Sequence, residues 1–137
     1  MTTNAADPVP TLTIRFEDLV WRSVDPGNTA GPQIAQLWGN PSQGPFGALL
    51  GVPAGFESPM HTHTHDERVL QMRGRSVHWT RGESRSGPPV MNPGDFMLMP
   101  AGVPHISAAT DEEDSIEFIT MDGAFDFTIA EPIPEEK

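Results

Sequence analysis

Apolar residues along this chain come in short runs, alternate in part with polar ones, and are cut at close intervals by glycine or proline. No stretch repeats apolar positions at helical spacing strongly enough to predict a helix, so the pattern predicts strands. Residues 11–24 (TLTIRFEDLVWRSV) alternate in part and predict one or two strands. Further strands are predicted over 33–38, 46–52, 67–72, 75–82, 96–100 and 124–129. Another covers 115–121, where Ile116, Phe118 and Thr120 share a face, and the tight loop at 101–107 runs into a strand. Turns are predicted at DPGN (25–28), at Gly74 and at NPGD (92–95), and 109–114 reads as a solvated acidic tip. Residues 1–10 read as a flexible arm, 11–130 as one domain and 131–137 as a flexible tail. Many short strands without helices mean an all-β sandwich or barrel. Gln36 and Trp38 share a strand face that lines a cavity or packs the core, and Met60, Phe96, Met97 and Met99 are expected to fill the barrel.

Composition narrows the function. The chain has 137 residues, enough for a single core, with 15 prolines and 13 glycines among them. Its net charge of −11 repels phosphate backbones and anionic lipid, so neither nucleic acid nor membrane is an expected partner. The start of the chain has no basic region and no apolar region, so no signal peptide is expected and cytoplasmic localisation is the default. Cysteine is absent, which removes disulfides and thiolate ligands, and the absence of tyrosine removes one common general base.

The chemistry concentrates in 55–74, GFESPMHTHTHDERVLQMRG. His61, His63 and His65 alternate with threonines, and Glu67 follows. Residues two apart point to nearly opposite sides of a helix but share one face of a strand. A strand therefore gathers His61 and His63, with Glu67 as a further candidate, around one point, where imidazoles and a carboxylate suit a divalent first-row metal. If Glu67 points inward, so do Val69 and Gln71. Gln71 is then placed to hold a bound water or substrate oxygen, or serves as a core amide bonded to backbone. His65 is expected at a pocket rim, His78 as a structural residue, and Arg68 and Arg73 at the surface.

Gly55, His61, His63, Glu67 and Gly74 stand at the spacings of the first motif of the cupin superfamily. Gly94, Pro100, Gly102 and His105 stand at those of the second, whose final Asn is Ala109 here. The chain thus resembles a cupin, and most resembles small single-domain cupins, ChrR-like or uncharacterised. The resemblance implies a conical double-stranded β-helix, a jelly-roll barrel. It also implies one divalent transition metal per chain (Fe, Mn, Ni, Zn, Co or Cu) held by His61, His63, Glu67 and His105. The alternative leaves Glu67 outside a three-histidine centre. A small organic substrate and a homodimer are the expected partners. The first expectation for activity is an oxygenase acting on a diketone, enol or phenol, with Glu67 tuning the ion and Gln71 bonding the bound oxygen. A non-redox isomerase, lyase or cyclase with Glu67 as base is the second, and a non-catalytic metal-binding sensor the third.

Overall fold

The computed structural model describes residues 10–130. The arm expected at 1–10 (all but Pro10) and the tail at 131–137 lie outside the described residues. Among the described residues ten strands form two antiparallel sheets, with a 3-10 turn at Phe16–Asp18 and no α-helix. The larger sheet takes β1 (Trp21–Ser23), β2 (Gln33–Gly39), β3 (Phe46–Val52), β9 (Ser115–Met121), β5 (Glu67–Arg73) and β7 (Phe96–Met99), in that spatial order. The smaller sheet runs β10 (Thr128–Ile129), β4 (His61–Thr62), β8 (His105–Ala109) and β6 (Ser76–Thr80). This is the expected all-β jelly-roll architecture.

Alternation decides which side chains face the interior. On the larger sheet Phe46 and Ala48 of β3, Val69 of β5, and Ile119 and Met121 of β9 form one buried cluster, joined by Met91. Met97 packs against this cluster and Met99 is buried, as expected. Phe96 does not fill the barrel: at 63% exposure it lies on the outer face of the edge strand, because Met97 and Met99 take the inward positions. Gln36 and Trp38 are also exposed. The ladder slips between them, a bulge that turns Trp38 outward onto Gly47, where a Cβ would collide with the indole.

Two predicted strands are shorter than expected. In 11–24 only β1 forms, and Phe16 instead lies against Trp21 and under the Arg73 guanidinium, 4.8 Å away. In 124–129 only β10 forms, because the residues before it cross over the histidine cluster. On β9 the buried face is Ser115, Glu117, Ile119 and Met121, while the face of Ile116, Phe118 and Thr120 is only partly covered.

Gly74 takes the chain from β5 in one sheet to β6 in the other at φ +64°, and a Cβ there would run into the Asp114 carbonyl. Gly74→Ala is expected to cost about 2–3 kcal/mol of unfolding free energy, read from urea denaturation.

Candidate metal centre

His61 and His105 lie directly opposite each other on β4 and β8, so their side chains share the inner face. Their ring centroids are 4.2 Å apart. His63, two residues on, brings its ring within 4.8 Å of His61 and 5.1 Å of His105. One ring nitrogen from each histidine lies within 4.8 Å of the others, and all three residues are buried.

Hydrogen bonds orient the rings. The Nδ1–H of His61 donates to the Pro59 carbonyl (2.8 Å), that of His63 to the Asp126 carbonyl (2.6 Å), and that of His105 to the Val103 carbonyl (2.8 Å). A carbonyl only accepts, so each Nδ1 carries the proton and each Nε2 keeps its lone pair. His105 Nε2 is buried with no hydrogen-bond partner. Burial holds the pKa of His61 down to about 4 and that of His105 down to about 3, against the carbonyl bonds that raise them. Neutral imidazoles with outward-bonded Nδ1 and convergent Nε2 are the donor set of a divalent transition metal, and an orphaned Nε2 is the atom such an ion would satisfy. The residues fit the ion.

Glu67 is buried on β5, with Oε1 3.8 Å from His63 Nε2. Its oxygens do not join the group in which every donor is within 4.8 Å of every other. Burial raises its pKa; His63 opposes the shift and Glu117 adds to it. Gln71 is also inward and buried, but its amide is fully engaged. Nε2 donates to the Arg73 carbonyl and to Ser115 Oγ (both 2.8 Å), and Oε1 accepts from Ser76 Oγ (2.6 Å). It does not line the cavity, so the substrate-bonding role expected for it gives way to the core-amide alternative. His65 packs over Gly123, away from the cavity lining. Arg68 pairs with Asp122 at the surface.

A cavity of about 600 Å³ opens onto His61, His63 and Glu67. The segment leading into β10 closes one side. Phe127 stacks on the His61 ring at 4.4 Å, Phe125 lies 5.5 Å from the His63 ring, and the Asp126 carboxylate caps the Thr64 backbone and hydroxyl. The sequence reading missed this strap, and it missed Glu117 and His78 on the cavity wall. The available signal for Glu117 was a carboxylate placed in register with Ile119 and Met121 on one face of a strand.

Residues 13–132 match the family described as a domain of unknown function, DUF4437. Solved cupin structures superpose on the same barrel. The chain belongs to this family and has the cupin fold. An RmlC-like cupin from Ralstonia eutropha JMP134 is 22% identical, with TM-score 0.69 over 89% of this chain and 78% of that one. The polyketide cyclase RemF from Streptomyces resistomycificus is 14% identical, with TM-score 0.69 over 88% and 86%. The DMSP lyase DddQ from Ruegeria pomeroyi DSS-3 is 20% identical, with TM-score 0.66 over 85% of the cupin described here. That match spans only 64% of the lyase. No curated protein matches the sequence.

Two outcomes test the centre. The His61→Ala, His63→Ala double variant of the cupin is expected to retain no metal by elemental analysis, and metal content equal to wild type would count against the site. In the metal-free protein, His61 and His105 stay neutral when folded but titrate near 6.5 when unfolded. The unfolded chain therefore binds more protons between pH 6.5 and about 4, and stability falls on acidification through that window. The share of His61 alone is about 3 kcal/mol. Glu67 acts in the opposite direction, since its raised pKa lets the folded state hold a proton above pH 4.5. Urea denaturation across this range should therefore show a steeper acid loss in Glu67→Gln than in wild type.

Proposed function

We propose that this cupin is a metal-dependent enzyme that acts on a small organic molecule, and that His61, His63 and His105 hold one divalent transition-metal ion at the wall of the cavity. The observation that carries the reading is the set of three imidazole nitrogens within 4.8 Å of one another, from buried histidines whose Nδ1 atoms are bonded away, beside an open volume of about 600 Å³. A purely structural ion needs no such volume, whereas a ligand site does. When bound, the ion supplies Lewis acidity, polarising an oxygen of the substrate.

The chain's own residues supply the rest. The three carbonyl bonds aim the imidazoles, and burial keeps those of His61 and His105 neutral. Glu67, buried beside His63 with a raised pKa, is suited to take a proton from substrate and return it. Phe125, Phe127 and the apolar wall exclude water from the bound molecule. A buried carboxylate poised for proton transfer favours the non-redox reading, a lyase, isomerase or cyclase, over the oxygenase. The structural neighbours described as a lyase and a cyclase support the same direction.

The test is turnover of a panel of enols, β-diketones and hydroxy acids by protein loaded in turn with Fe, Mn, Ni and Zn, with and without O₂. Turnover that needs the ion and survives anaerobiosis is expected. Turnover that consumes O₂ assigns the oxygenase instead, and an ion that no small anion can reach overturns the enzyme reading. Glu67→Gln is expected to lower turnover by about 10²–10⁴-fold while the ion is retained.

A further inference from the structure

Glu117 of β9 and His78 of β6 line the same cavity, from strands that supply none of the metal-binding histidines. Glu117 is 3% exposed and His78 8%. The proton on His78 can be placed from its neighbours. Gln71 turns its amide nitrogen to the Arg73 and Gly74 carbonyls, so its oxygen faces Ser76. Ser76 donates its only proton there and so accepts one from His78 Nε2 at 2.9 Å. His78 Nδ1 is hydrogen-bonded to the Ser107 hydroxyl at 2.7 Å. The ring is held between the two serines, and its Nε2–H is committed to Ser76.

Glu117 Oε1 lies 3.5 Å from that same nitrogen, and among the described residues no hydrogen bond reaches its carboxylate. A buried carboxylate without donors is costly unless something else supplies them. The cavity is the side from which a donor can reach it. Among the described residues no lysine or arginine lines the cavity, while Asp25, Asp126 and Glu57, the last paired with Arg85, add further carboxylates. Between the polar groups the wall is apolar, with Leu50, Val52, Phe56, Phe125, Phe127 and Ile129.

We propose that Glu117, braced by His78, is a second anchor that holds the hydroxyl or ammonium end of the ligand, so that the cavity takes a neutral or cationic molecule with an apolar body. This deepens the reading above and rests on it only in treating the cavity as a ligand site; the anchor itself needs no ion. Calorimetric titration of the zinc-loaded protein with benzylamine, as its ammonium form, and with benzoate gives a ratio of affinities. That ratio is expected to fall at least tenfold in Glu117→Gln, with zinc content unchanged. Glu117→Leu is expected to be at least as stable to heat as wild type, because a ligand-holding carboxylate burdens the empty fold whereas a structural one supports it. An unchanged ratio, no benzylamine binding at millimolar concentration, or a clear loss of stability in both variants overturns the anchor. Failure to bind zinc with the benzylamine preference intact overturns the metal reading and leaves the anchor standing.

Discussion

Three imidazole N–H groups each bonded to a backbone carbonyl are the constraint on which the site depends. Each bond decides a tautomer, and the three tautomers together leave three acceptor atoms facing one another without a donor between them. Such an arrangement is unfavourable by itself at His105, since burial removes the water that would otherwise satisfy its Nε2. It is stable because the carbonyls come from tight local turns for His61 and His105 and from the strap for His63. A cation is the partner that the His105 Nε2 atom is suited to.

The interior around the centre is graded. Phe46, Val69, Ile119, Met121 and Met91 form an apolar plug, while Gln71, Ser76, His78, Ser107, Ser115 and Glu117 form a linked polar layer. Single strands contribute to both: β9 gives Ile119 and Met121 to the plug, and Ser115 and Glu117 to the polar layer. The paired hydrogen bonds of that layer make it rigid, which a layer of unpaired polar groups would not be. It also explains why a glutamine two turns of the pleat beyond Glu67 belongs to the scaffold and not to the chemistry.

Much of this was legible in the sequence. Alternating histidines, glycines at turns and a second histidine after a Pro-x-Gly bend carry the fold and the three imidazoles, but not on the single strand expected: β4 ends at Thr62, His63 follows it, and Glu67 opens β5 of the other sheet. Glu67 was legible as an inward carboxylate, but strand alternation fixes only its face, not its distance from the ion. Trp38 and Phe96 were misplaced because alternation does not say where a bulge shifts the register or which face of an edge strand is covered. Glu117 was hidden because its neighbours Ile116 and Phe118 suggested that the opposite face was the buried one. The strap was hidden because its role rests on a main-chain oxygen, which carries no residue-type signal.

That strap ties one ligand to a distant part of the chain. His63 takes its orientation from the carbonyl of residue 126, and the same residue's carboxylate pins the turn after His63. Affinity for an ion is accordingly a property of the closed barrel and not of the histidine-rich segment. During synthesis the segment leaves the ribosome long before residue 126 does, so the growing polypeptide passes through a stage in which the His63 ring has no carbonyl to orient it. The three-ring geometry is completed late, once the far end of the domain has docked.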